Sequence, residues 1–272
     1  MTLCKVLTQG CFSTGFLVYK EVRQEDDLSC FFFQNCVGEG HQEVWVKQPG
    51  VCVADVQEEK AKEFVKEQEP VYGSENIIAV FCDVSKESEY KKVFDLTLEK
   101  FHRVDLLVNN AGILNEYEPQ KVMDINLVGT IYGCRVALKY MGKSSGGSGG
   151  FVINTASIAG ILPASALPVY VASKHGVVGL TRSYGLPYHF ERDGVTFAAL
   201  CPSFINTDLL KTPVTLKEGQ DFSKRTDLMS PEYVAKGVSK LLEDKINGST
   251  LVVSLDGYHY IDIPEELKCY VV

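Results

Sequence analysis

The sequence predicts a doubly wound parallel α/β sheet in a single domain, with an atypical first βα unit. Three observations carry that expectation. From residue 51 onward, short β-branched apolar runs alternate with segments of helical period. The apolar runs are nearly continuous rather than alternating, which suits strands covered on both faces. The composition is that of an ordinary globular chain: 272 residues, 45% hydrophobic, 23% charged, with a mean hydropathy near zero.

The expected strands are Val51–Val56, Ile77–Val84, Asp105–Val108, Phe151–Thr155, Val195–Leu200 and Thr250–Leu255. Helices are expected between them. Ser85 is read as the cap of one, with Glu87 in its acidic first turn, running to about Phe101. Pro119 opens the next, and Val122, Ile125, Val128, Tyr132 and Val136 stripe one of its faces. Another begins near Val169 and is read as containing Gly185 and Pro187, the proline kinking it. Pro231 opens the last long helix, through Leu242. Lys143–Gly150 reads as a flexible helix-to-strand connection, and Thr212–Leu228 as either a mobile lid or a disordered insertion. Residues 1–50 form an atypical amino-terminal segment ahead of a core spanning 51–272, because Asp26–Gly50 shows no sustained period.

The charge excludes some partners. A net charge of −8 and a pI of about 5.2, without a basic block, argue against nucleic acid and anionic membranes. No apolar run approaches the roughly 18 residues of a membrane span, and no signal-peptide core follows Lys5. The nine cysteines include no Cys-x-x-Cys and no zinc-ligand spacing, so free thiols in a reducing compartment are expected, with a cytoplasmic location and no metal site.

The chemistry-bearing residues cluster in the second half. Tyr170 and Lys174 stand four apart, so on a helix both project from one face, where a nearby ammonium stabilises a phenolate. Such a tyrosine can exchange a proton with a substrate hydroxyl or carbonyl. Ser157 follows the strand Phe151–Thr155, at the edge where α/β ligands bind. Asn109-Asn110-Ala111-Gly112 follows another strand, and small residues with amides there permit close approach of a flat cofactor. Asn126 sits mid-helix, where asparagine needs a reason: either a functional one or a bridge between backbone groups. His175 is expected to be a packed helical histidine.

In this order and spacing, Asn-Asn-Ala-Gly, the helical asparagine, the serine and Tyr-x-x-x-Lys resemble the short-chain dehydrogenase/reductase family, over roughly residues 51–257. Within the family, Asp105–Gly112, Asp124–Val128 and the stretch beginning at Pro168 look most like the 15-hydroxyprostaglandin dehydrogenase and insect alcohol dehydrogenase-like groups. The resemblance implies a Rossmann-type fold and hydride transfer between NAD and a secondary alcohol or ketone. Tyr170 is then the general acid/base, Lys174 lowers its pKa and binds the nicotinamide ribose, Ser157 orients the substrate oxygen, and Asn126 anchors a water. Asn110 lies along the cofactor, Asp83 and Val84 match the adenine-edge segment, and Ile205, Asn206 and Thr207 match the carboxamide end. Asp55, closing its strand, would accept ribose hydroxyls and repel a 2′-phosphate, favouring NAD; its competing role is a helix cap. Leu162, Leu167, Phe204 and Leu209 are candidate walls for an apolar or lipid-like substrate, with Leu167 replacing a polar substrate-contacting residue. A homodimer is also implied.

The first βα unit departs from the family. Its glycine-rich phosphate loop is missing; Gly10 and Gly15 are the nearest candidates, with Phe16–Val22 then starting the helix. The usual Pro-Gly after the sixth strand reads Pro202-Ser203. The alternative reading is therefore a catalytically silent relative with impaired cofactor binding, acting as a binding or scaffold protein.

Overall fold

Strands form where two apolar faces alternate along the chain. The computed structural model describes residues 16–19, 50–211, 215, 225–269 and 271. Its strands are β1 (Phe16–Tyr19), β2 (Val51–Asp55), β3 (Ile77–Phe81), β4 (Leu106–Asn109), β5 (Gly150–Thr155), β6 (Val195–Pro202), β7 (Ser249–Ser254) and β8 (Gly257–Tyr260). Along β2, Val51 and Val53 enter one core while Cys52 and Ala54 enter the other. Leu106 and Val108 oppose Leu107 on β4 in the same way, and Phe151 and Ile153 oppose Val152 on β5. Two buried faces explain why these strands read as unbroken apolar runs.

The covering helices are α1 (Glu58–Tyr72), α2 (Glu87–Phe101), α3 (Pro119–Met123), α4 (Gly129–Met141), α5 (Pro168–Tyr184), α6 (Pro187–Asp193), α7 (Asp208–Lys211), α8 (Pro231–Asp244) and α9 (Glu265–Lys268). Phe64 of α1 and Val238 and Leu241 of α8 pack on one face of the sheet. Phe94 of α2 and Val136 and Ala137 of α4 pack on the other. Among the described residues the strands make one eight-stranded sheet, in the order β3-β2-β1-β4-β5-β6-β7-β8. The chain order reverses on either side of β1 and β4, and in such sheets the crevice beyond the strand ends is the ligand-binding place.

Several expectations need correction. The sheet is parallel from β4 to β7 and between β2 and β3, but β1 runs antiparallel to both β2 and β4, and β8 antiparallel to β7. Phe16–Tyr19, expected to start a helix, is this reversed strand. Tyr19 pairs with Val51, so β1 ends where β2 begins. Antiparallel neighbours can be joined at one end, whereas a parallel pair needs a crossover, and the sequence between them lacks the helical period a crossover helix requires. Gly10, Gly15 and residues 26–49 lie outside the described residues, as does most of Thr212–Leu228.

Ser85 does not cap α2: its hydroxyl donates to Asp83 at 2.7 Å, and the helix starts two residues later. Between α3 and α4 the chain makes a π-helical turn, Asp124–Val128. The extra residue rotates the buried face, so Asn126, Thr130, Cys134 and Ala137 are buried while Ile125, Val128 and Tyr132 of the expected stripe are only partly covered. Pro187 does not kink α5, because α5 stops at Tyr184 and Pro187 opens α6 at a first-turn position where a missing amide hydrogen costs nothing. Ser203, in place of glycine, carries no backbone strain: His102 and Lys245 are the non-glycine residues with positive φ among those described.

Candidate active site

Three strand ends and one helix converge on a cavity of about 690 Å³. Asn110 and Gly112 reach it from the end of β4, Thr155 and Ser157 from the end of β5, and Ile205 and Thr207 from beyond β6. Tyr170 and Lys174 enter from the first turns of α5. Leu114, Leu162, Leu167, Phe204 and Leu209 supply much of the remaining wall, so the cavity is mainly apolar with a few convergent polar groups.

Helical spacing does what it was expected to do with Tyr170 and Lys174. Both are buried, and the Lys174 Nζ lies 5.7 Å from the centroid of the Tyr170 ring. That ammonium donates to the Thr155 carbonyl at 2.8 Å. Ser157 is extended, with φ −176° and ψ 165°, and its Oγ accepts from the Ala159 amide at 3.2 Å. Burial sets the ionisation of both groups. Burial pushes the Tyr170 phenol up to about 12, against a hydrogen bond with Ser157 that pulls it down. Burial also brings Lys174 down to about 8. For each group, desolvation disfavours the charged form.

Asn126 is fully buried, and its carboxamide is bound by protein groups. Its Oδ1 accepts from the Ile113 amide at 2.8 Å, while its Nδ2 donates to the Ile113 carbonyl at 3.0 Å and to Ser173 Oγ at 3.1 Å. It bridges backbone groups, one of the two readings open from sequence. The neighbouring asparagines of the Asn-Asn-Ala-Gly run divide their work. Asn110 lines the cavity. Asn109 is buried, accepts from the Tyr90 hydroxyl at 3.1 Å and donates to Asn154 at 2.8 Å, so it ties β4 to β5 and α2.

The remaining candidates spread along the same sheet edge. Asp55 is buried at the end of β2, where its Oδ1 accepts from the Gln57 amide at 2.7 Å. Gln57 is itself the cap residue of α1, so the carboxylate organises the approach to the helix without capping its first turn. Asp83 and Val84 follow β3; Asp83 is held by Ser85 and Lys86, and Val84 is buried against Gly129. Asn206 is exposed and outside the cavity wall, unlike Ile205 and Thr207. His175 is exposed and bonded to the Val171 carbonyl, not packed. Among the described residues no group of His, Cys, Asp and Glu is arranged to hold a metal.

These residues fit one part of a nicotinamide dinucleotide better than the other. Gly112 leaves the space beside Lys174 open: a Cβ there would meet Nζ at 3.4 Å. The cavity around it has room and donors for a nicotinamide ribose. Among the described residues, the first strand runs against its neighbours at this edge of the sheet. Phe16 pairs with Ala54 and Asn109, so the chain enters β1 at this edge and leaves it, after Tyr19, at the opposite one.

Sequence reasoning missed Glu116, Ser173 and the Thr155 carbonyl. Glu116 sits in Asn115-Glu116-Tyr117-Glu118, which reads as a solvated acidic turn, and only the docking of that turn reveals its contacts.

Residues 41–217 match the family model described as short chain dehydrogenase. The chain is 38% identical over 194 residues to human 15-hydroxyprostaglandin dehydrogenase (NAD(+)), covering 66% of this chain and 73% of that one. It is 31% identical over 197 residues to alcohol dehydrogenase 1 of Ceratitis cosyra, covering 70% and 76%. The fold resembles the NADH complex of a 3-ketoacyl-(acyl-carrier-protein) reductase from Brucella melitensis, at a TM-score of 0.64 and 24% identity over 75% of this chain and 85% of that one. The match spans the strand ends, the serine and the Tyr-x-x-x-Lys helix, and on that ground the chain belongs to the short chain dehydrogenase family.

Proposed function

We propose that this chain is an NAD-dependent oxidoreductase interconverting a secondary alcohol and its ketone, on an apolar or lipid-like substrate. The observation that carries the proposal is the convergence of Ser157, Tyr170 and Lys174 on one largely apolar cavity. The human relative's name specifies NAD, and that of the insect relative specifies an alcohol substrate. Nothing in the comparisons favours the scaffold alternative.

Bound nicotinamide would supply the hydride acceptor. Ser157 Oγ holds the substrate oxygen by a hydrogen bond. Tyr170, as phenolate, takes the hydroxyl proton while the carbon–hydrogen bond releases its pair as hydride, leaving the ketone. Lys174 would hold the nicotinamide ribose and offset the charge on the phenolate. Leu114, Leu167, Phe204 and Leu209 exclude water and favour an apolar chain on either side of the carbinol. Asp55 would bind ribose hydroxyls and disfavour a 2′-phosphate. Cys52, Cys82, Cys134 and Cys201 are free and buried, which is in keeping with a cytoplasmic location.

The test is steady-state NADH formation from a panel of apolar secondary alcohols, compared with sugars of similar size. Saturable turnover of the apolar alcohols supports the reading. Turnover confined to the sugars would remove the substrate class.

A further inference from the structure

Glu116 grips the amino-terminal turn of the helix that carries Tyr170. Pro168 opens α5 without an amide hydrogen, so the first donors needing partners are those of Val169 and Tyr170. The cap residue, Leu167, has no side-chain oxygen to offer. Glu116, on the loop after β4, takes both: its Oε2 accepts from the Val169 amide and its Oε1 from the Tyr170 amide, each at 2.9 Å. The carboxylate belongs to a residue only 5% exposed.

The carbonyl of Tyr170 is held within its own helix, by a side chain tied in turn to the π-helical turn. Ser173 Oγ donates to it at 2.7 Å, and Asn126, which donates to Ser173, also clasps the amide and carbonyl of Ile113. Tyr170 is thus bonded directly to Glu116 through its amide, and its carbonyl is linked to Ile113 only by way of Ser173 and Asn126.

We propose that Glu116 is a positioning residue for the proton-exchanging tyrosine, seating Tyr170 through its amide hydrogen and locking the loop after β4 to α5. This rests on the role given to Tyr170 above. An electrostatic contribution is tested separately. The groups facing Tyr170 are Lys174 on its own helix, Ser157 after β5 and Cys201 on β6, with Asp208 and Arg225 on the cavity wall. A carboxylate close enough to couple to the phenol would favour its neutral form, so the shift of tyrosine ionisation on Glu116→Gln reads that coupling.

Three variants separate these effects. Glu116→Ala removes acceptor and charge, Glu116→Gln keeps length and one acceptor oxygen without charge, and Glu116→Asp keeps the carboxylate on a shorter stem. We expect Glu116→Ala to lower kcat about tenfold with the KM values for alcohol and NAD within about twofold, as loss of orientation without loss of binding requires. Glu116→Asp should recover part of that loss. In protein carrying carbon-13 at tyrosine Cζ, with the Tyr170 signal assigned from Tyr170→Phe, Glu116→Gln should shift the titration to lower pH. A folded Glu116→Ala with unchanged kcat, together with an unmoved titration in Glu116→Gln, would show Glu116 to be a plain helix cap. If Glu116→Ala does not fold, Glu116→Gln decides by the same two readouts. Absence of turnover in the unaltered chain would count against the proposed function, while the NMR titration would still decide the role of Glu116.

Discussion

At the residue scale, the chemistry depends on a buried phenol beside a buried amine. The proton rests on Tyr170 at neutral pH, since burial holds its phenol near 12. Alcohol oxidation uses the deprotonated form as base, so its kcat/KM should rise with pH, by up to about tenfold per unit while the phenol is the limiting group. Ketone reduction uses the neutral phenol and should fall once the pH passes its pKa. A flat profile for oxidation between about pH 6 and pH 9 would remove Tyr170 as the base. At Asp55 the expected result is a preference for NAD over NADP that narrows in Asp55→Ala; better turnover of the unaltered chain with NADP would take that carboxylate out of the role. Tyr170, Lys174 and Ser157 were legible because helical spacing and a strand end fix where such side chains go. Glu116 was not, because its two hydrogen bonds depend on where a loop lands more than fifty residues along the chain. Asn206, expected at the cofactor from a match to a family segment, is exposed while its neighbours Ile205 and Thr207 line the cavity.

At the element scale, small residues let helices approach the site's supports. Gly133 of α4 lies against Asn109, and a Cβ there would fall 2.2 Å from the asparagine Oδ1. Asn109 cannot yield freely, being bonded to Tyr90 and Asn154. Gly133→Ala should therefore destabilise the fold by about 1–3 kcal/mol, even though alanine is the better helix former by about 1 kcal/mol. Urea unfolding measures this, and an unchanged midpoint would contradict the packing described for Asn109. The element types were largely legible from residue 51 onward, since apolar runs and helical periods compete little there. The errors arose where one residue changes the frame. The π-helical turn at Asp124–Val128 rotated the buried face of the helix after Pro119, and the stop at Tyr184 turned a suspected kink into a helix start at Pro187. The direction of β1 was not legible, because a run of four apolar residues pairs equally well in either sense.

At the scale of the whole molecule, the described part of the crevice lies at the ends of β4, β5 and β6, beside a first strand of reversed direction. The ends of β4, β5 and β6 and the start of α5 converge on one cavity, while β1 enters the crevice edge instead of leaving it. We expect weak NAD binding for this reason, and replacing residues 1–50 with a family strand, glycine loop and helix should tighten it; micromolar binding by the native chain, unimproved in the replacement, would contradict that expectation. The central claim is that residues 51–272 carry a hydride-transfer site operated by Tyr170. Its most direct test is NADH formation from an apolar secondary alcohol at saturating NAD, measured in the unaltered chain, the amino-terminal replacement and Tyr170→Phe made in each. The account predicts turnover that falls at least about a hundredfold on loss of the hydroxyl, with NAD affinity unchanged. Equal turnover with and without the Tyr170 hydroxyl, or no turnover even in the replacement, would contradict it.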